Sequence, residues 1–230
     1  MTVKDLVRPI PGMRRLSRLR QQLSFAGSAR YWEENYDQGG SSGPGSYGDL
    51  GQGKAKFLND FVRKRNVGSV TEFGCGDGHQ LSLAEYPHYV GLDVSRAAIG
   101  LCKSRFADDP SKSFFLYEGD SFVDRMGLFA ADLAISLDVV YHLIEDQVFE
   151  TYMEHLFSAG QRYVVVYSTN QAMRDDAPHV RHRQFSLWVD DHCPQWRLTD
   201  VVQGPSSLPR RADFFVYERD NADKSGRYKS

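Results

Sequence analysis

The sequence is poor in cysteine, and the three it has, Cys75, Cys102 and Cys193, are odd in number and far apart. They offer no disulfide framework and no metal-ligand spacing, which points to a reducing, cytoplasmic setting and to no bound metal. Long apolar runs are missing too: none approaches the roughly 20 residues of a membrane-spanning helix. The stretch from Met1 to Gln22 lacks the apolar core of a secretory signal. Net charge is nearly absent, since 28 Lys and Arg against 30 Asp and Glu leave −2 at neutral pH. No overall field therefore gathers nucleic acid or lipid. There is no internal repeat and no basic groove with RNA-binding motifs. What remains is an ordinary globular composition, 41% apolar over 230 residues, enough for one large α/β domain or for one domain with a small appendage.

The chain is organised around Val70-Thr71-Glu72-Phe73-Gly74-Cys75-Gly76-Asp77-Gly78. An apolar run from Val67 ends in an acid and is followed by three glycines at alternate positions. This reads as a strand, a tight turn and the start of a helix at Leu81–Ala84, whose first N–H groups would face a ligand. The dinucleotide fingerprint needs G-x-G-x-x-G around a pyrophosphate. Here the spacing is G-x-G-x-G, and Glu72 and Asp77 would repel a pyrophosphate. A ligand carrying a cation, an amino group and hydroxyls fits better.

Further strands follow at regular intervals. Tyr89–Ser95 ends in Asp93, 21 residues after Glu72, the spacing at which a carboxylate takes ribose hydroxyls in nucleoside-binding sheets. Ser95 reads as the N-cap of a helix from Arg96 to Phe106. Ser113–Tyr117 is a third strand, leading into Glu118-Gly119-Asp120-Ser121. Asp132–Asp138 is a fourth, apolar enough to be buried on both faces, and Arg162–Tyr167 a fifth. Amphipathic helices are expected over Lys54–Asn66 and about Ile144–Ala159, and a short one near Trp188. Two closing strands, Trp196–Val202 and Ala212–Tyr217, read as an antiparallel pair.

The glycine turn, Asp93, Asp120 and the strand end at Asp138 fall in the order and spacing of one family. The chain resembles the class I S-adenosylmethionine-dependent methyltransferases from about Phe57 to Tyr217. The resemblance implies a doubly wound, Rossmann-like α/β fold: a seven-stranded sheet of order 3-2-1-4-5-7-6 with the last strand antiparallel. It implies S-adenosylmethionine across the carboxyl ends of the strands. Glu72, Gly74 and Gly76 would meet the methionine part, with Gly78, Asp138 and Tyr36 also in the cofactor site. Asp93 would meet the ribose, with Val94 also in the cofactor site, and Asp120 and Ser121 the adenine. The further acid of divalent-metal O-methyltransferases is missing from Ser168-Thr169-Asn170, so no metal is expected.

The chain divides into a basic leader (1–30), a cap or lid (31–56), the methyltransferase domain that the resemblance implies (57–219) and a polar tail expected to be disordered (220–230). The leader carries seven cations against one acid and reads as a solvated helix, or as an arm for an anionic partner. The aromatics Tyr31, Trp32 and Tyr36 beside a Gly-Ser loop read as a lid over the cofactor, or as a surface loop packed on the core. His142 and His179 are candidate general bases for a hydroxyl acceptor, beside Tyr141. Arg181, in an ionic cluster running from Arg174 to Arg183, would orient an anionic substrate group. The expected substrate is a small polar molecule such as a sugar or secondary metabolite, with O-methylation. RNA or protein methylation through the basic leader, and a non-catalytic nucleoside-binding protein, are the alternatives.

Overall fold

The computed structural model describes residues 27–174, 177–205 and 212–220. The expectations for the leader up to residue 26, for Asp175 and Asp176 and for the tail beyond residue 220 lie outside the described residues. Seven strands, numbered in chain order, form one sheet: β1 (Ser69–Phe73), β2 (His88–Asp93), β3 (Lys112–Leu116), β4 (Ala131–Leu137), β5 (Gly160–Ser168), β6 (Trp196–Val202) and β7 (Asp213–Arg219). Their order is β3-β2-β1-β4-β5-β7-β6, as the family resemblance implies. β1 to β5 pair in parallel, and β7 runs antiparallel to both β5 and β6. A separate two-stranded ribbon pairs Met173–Arg174 with Arg181–His182.

Helices cover both faces, and the strands show why. In β4, Leu133 and Ile135 pack into one core cluster while Ala134, between them, packs into the other. In β5, Tyr163 and Val165 point to the first cluster, and Val164 and Val166 to the second. Alternate side chains leave opposite faces of a strand. A strand buried on both faces therefore needs an unbroken apolar run, which is what these segments have. Helix α2 (Gly48–Lys64) adds Leu58 and Val62 to the first cluster, and α3 (Arg96–Arg105) adds Ile99 and Cys102. Helices α4 (Asp146–Ala159) and α5 (Phe185–His192) cover the other face with Phe149, Met153, Leu156, Phe185 and Val189. The N-terminal helix α1 (Ser28–Asp37) lies against α3. Among the described residues no helix is long and apolar enough to cross a membrane.

One element differs from expectation. The glycine turn opens no α-helix: Leu81–Leu83 makes a single 3-10 turn. The Ser82 N–H is shared between the Gly78 and His79 carbonyls, and Pro87 follows within one turn. Proline disfavours helical geometry in the residue before it, so the segment ends before a helix is established. The helix expected at Lys54 starts earlier, at Gly48. Ser95 does cap α3, its Oγ accepting from Ala98 N at 3.1 Å.

Candidate active site

The carboxyl ends of β1, β2 and β4 open into a cavity of about 450 Å³, roofed by α1 and the loop after it. On the sheet side it is lined by Glu72, Gly74, Cys75, Gly76, Asp93, Val94, Asp138, Tyr141 and His142. On the roof it is lined by Tyr31, Trp32, Tyr36, Ser42 and Pro44, with His179 closing one side.

The glycine turn is held from within. Gly74 N and Cys75 N donate to the Leu92 carbonyl at 2.7 and 3.0 Å, and Gly78 N donates to the Cys75 carbonyl. Gly76 N donates to Asp93 Oδ2 at 2.8 Å. Asp77 N donates to Ser42 Oγ at 3.0 Å, and His79 N to Asp77 Oδ1 at 2.9 Å. Each N–H from residue 74 to 79 therefore has a partner inside the chain. Gly76 has φ +57°, and a Cβ there would run into Ser42 Oγ and Tyr36 Oη. The missing side chain lets the roof meet the turn.

The carboxylates beneath are unusual. Glu72 is buried and accepts from Tyr89 Oη at 2.6 Å, and burial pushes its pKa up to about 7. Asp93 is buried too, each oxygen receiving one backbone N–H, from Gly76 and Ser95. Burial pushes it up to about 6. Asp138 sits in left-handed backbone, φ +61°, a strained setting for a non-glycine residue. Its Oδ2 pairs with Lys54 Nζ at 2.5 Å, and its Oδ1 accepts from Tyr141 Oη at 2.7 Å. The pair to a buried lysine 84 residues away fixes the β4 end against α2.

The roof is attached at both ends. At the start of α1, Glu145 accepts from Ser28 N at 3.0 Å and from Ser28 Oγ at 2.6 Å. At the far end, Asp77 Oδ2 accepts from Ser42 N and from Tyr47 Oη, the latter at 2.6 Å. Beside α1 an aromatic stack forms. Tyr31 stacks on His179 with ring centroids 4.4 Å apart, and Trp32 meets His142 edge-on at 4.9 Å. His142 Nδ1 lies 2.9 Å from the His179 carbonyl oxygen. That oxygen can only accept, so Nδ1 carries the proton and Nε2 carries the lone pair. Burial pushes the His142 pKa down to about 4, so the ring is neutral at pH 7.

The structure thus gathers Tyr36, Glu72, Gly74, Gly76, Asp93, Val94, Asp138, Tyr141, His142 and His179 around one cavity. Four sequence candidates stand elsewhere. Asp120 and Ser121 are exposed in a 3-10 turn after β3, and Tyr117 faces the cavity in that region. Gly78 turns toward α3, where a Cβ would meet Cys102 and Phe106. Arg181 donates to the Ile144 carbonyl at 2.8 Å and pairs with Asp146 at 2.9 Å. Arg183 does likewise, donating to Leu143 and Ile144 carbonyls and to Asp146. Both arginines fasten the ribbon to the start of α4. Sequence reasoning passed over Lys54, Ser42 and Gln80, because each acquires its partner from a distant segment. Among the described residues no group of three His, Cys, Asp or Glu is arranged to hold a metal.

The strand order, the glycine turn and Asp93 beneath it decide the fold. The fold is that of the class I S-adenosylmethionine-dependent methyltransferases. The N-methyltransferase NodS from Bradyrhizobium japonicum, solved with S-adenosylhomocysteine, superposes with a TM-score of 0.63 at 15% identity, covering 84% of this chain and 98% of that one. Magnesium protoporphyrin IX methyltransferase from Synechocystis gives 0.60 at 14% identity, covering 88% and 100%. In sequence, the small RNA 2′-O-methyltransferase of Arabidopsis thaliana is 26% identical over 189 residues, which covers 73% of this chain. The chain spans only 20% of the length of that relative. No protein-family model matches.

Proposed function

We propose that the chain is an S-adenosylmethionine-dependent methyltransferase that methylates a hydroxyl of a small polar molecule, such as a sugar or secondary metabolite. The cavity fits this cofactor. Asp93 lines the cavity with acceptor capacity left for ribose hydroxyls, and Glu72 is placed to accept from an ammonium. The glycine turn offers no N–H to a pyrophosphate, which argues against a dinucleotide. When bound, the cofactor supplies an electrophilic methyl on a sulfonium.

The observation that carries the hydroxyl reading is His142. Its tautomer is set by the His179 carbonyl, its ring is neutral, and it lines the cavity beside Tyr141. Nε2 can take the proton of an acceptor hydroxyl while Nδ1–H stays on the carbonyl, as a positioned base requires. His179 then serves through its backbone and by stacking on Tyr31, rather than as the base. The α1 roof excludes water from the reaction. The N-terminal segment as far as about residue 47 acts as the lid.

A ribose 2′-hydroxyl of a small RNA is the second reading, favoured by the Arabidopsis relative. Against it, Arg181 and Arg183 are tied to Asp146 and to backbone carbonyls rather than presented to phosphates. The test is methyl transfer from labelled S-adenosylmethionine to a panel of sugars, phenolic metabolites and short RNAs. With an acceptor found, His142→Ala should lower turnover about 10²–10⁴-fold while S-adenosylhomocysteine affinity holds. Wild-type turnover should show no histidine limb between pH 6 and 8. Full turnover in His142→Ala, with chemistry rate-limiting, would remove His142 as the base.

A further inference from the structure

Two side chains stand next to each other just beyond the end of β4. Tyr141 and His142 share the 3-10 turn Val140–His142, their ring centroids lie 4.5 Å apart, and both line the cavity. Each directs its one polar hydrogen into the protein. His142 Nδ1–H points at the His179 carbonyl, 2.9 Å away, which leaves Nε2 as an acceptor. Tyr141 Oη donates to Asp138 Oδ1 at 2.7 Å, which leaves the phenol oxygen with lone pairs only. This corner of the cavity therefore carries two neighbouring acceptors.

The Tyr141 proton is firmly placed. Asp138 is held on its other oxygen by Lys54 Nζ, from a lysine that is 1% exposed. Its backbone is fixed in the left-handed region at the strand end. A hydrogen bond to a carboxylate is about twice as strong as one to a neutral oxygen. A substrate hydroxyl or ether oxygen does not draw that proton away from Asp138. What Tyr141 can do for a substrate is accept.

We infer that Tyr141 is a specificity-determining residue: its oxygen accepts from a second hydroxyl on the carbon next to the one being methylated, so the acceptor is a vicinal diol and receives one methyl. The inference rests on the hydroxyl reading above, in which His142 Nε2 takes the proton of the reacting hydroxyl. That hydroxyl oxygen bonds to the methyl carbon as the carbon–sulfur bond breaks, and the electron pair of the broken bond stays on sulfur. The neighbouring hydroxyl keeps its proton and donates it to Tyr141. A monomethylated diol turned round would set its ether oxygen against the Tyr141 oxygen, two acceptors with no hydrogen between them. Such an unmade bond is costly in a closed site, so the second methylation is disfavoured.

The test is ligand-observed NMR titration of protein loaded with S-adenosylhomocysteine, in two arms. Catechol is compared with phenol, and methyl ribofuranoside with its 2-deoxy form, so that the arm that binds tells an aromatic diol from a sugar diol. In the wild type the diol of that arm should bind about three- to tenfold more tightly than its partner, the net effect of one neutral hydrogen bond. Tyr141→Phe keeps the ring and removes the oxygen, and the preference should fall to within about twofold. With S-adenosylmethionine the wild type should stop at the monomethyl ether. Tyr141→Phe should carry it on to the dimethyl ether, a gain that a misfolded variant could not show. Equal affinity within the wild-type pair, a preference that survives in Tyr141→Phe, or a dimethyl ether made by the wild type overturns the inference while the hydroxyl reading stands. Methyl transfer to no hydroxyl of either arm or of the panel above overturns both.

Discussion

Glu72 and Asp93 are carboxylates held above their ordinary values by burial, and this has a measurable sign. A group whose pKa rises on folding favours the folded state below its ordinary value, and that benefit is lost as pH rises through the shifted one. For Glu72 the window runs from 4.5 to about 7, and for Asp93 from 3.8 to about 6. His142 opposes them: depressed from 6.5 to about 4, it costs stability as pH falls through that range. The ionised Glu72 is the form that attracts an ammonium. Affinity for S-adenosylhomocysteine should therefore rise between pH 6 and 8 and level off above, with proton release on binding near pH 6.5. Calorimetry in buffers of different ionisation heat reads both. Glu72→Gln should flatten this rise, and an unaltered pH dependence in that variant would assign the titration to another group.

Among the elements, the roof is the one whose stability is local. Its far end hangs on the Asp77 carboxylate through Ser42 N and Tyr47 Oη, and Tyr47 also stacks on His79 at 4.0 Å. Asp77→Ala should speed amide exchange across residues 40–47 by about fivefold or more, as expected when hydrogen bonds worth about 1–3 kcal/mol are removed. The start of α1, fastened separately by Glu145, should exchange as before. Equal exchange in both proteins would mean that the loop is held by packing alone. The strands were legible in the sequence because burial on both faces writes itself into consecutive residues, as in Asp132–Leu137, whereas their order was implied by the family resemblance. The turn and Asp93 were legible because both lie within one β-turn-β unit. The helix after the turn was misread, since the glycines mimic a helix start that Pro87 cuts short. Arg181 and Arg183 carried the right charge for a substrate, but their partners, Ile144 and Asp146, lie 37 residues away. Lys54 and Gln80 left no local signature at all, because a periodic apolar helix hides a buried lysine, and a lone glutamine carries no pattern.

For the whole molecule, the described residues that line the cavity run from Ser28 onward. Removing residues 1–25 should leave S-adenosylhomocysteine affinity within about twofold, because binding energy concentrates in the groups that touch the ligand. If the full chain retains short RNA that the truncated chain does not, nucleic acid becomes the favoured substrate class. The closed hydrogen bonding of the glycine turn has a consequence at this scale as well. Adenine nucleotides carrying phosphate chains share the adenosine portion of the proposed cofactor and are plentiful in living cells. Phosphate chains would find carboxylates and no vacant amide on this turn. The turn should therefore sort adenosine derivatives by charge, favouring one whose far end carries an ammonium over those ending in phosphates.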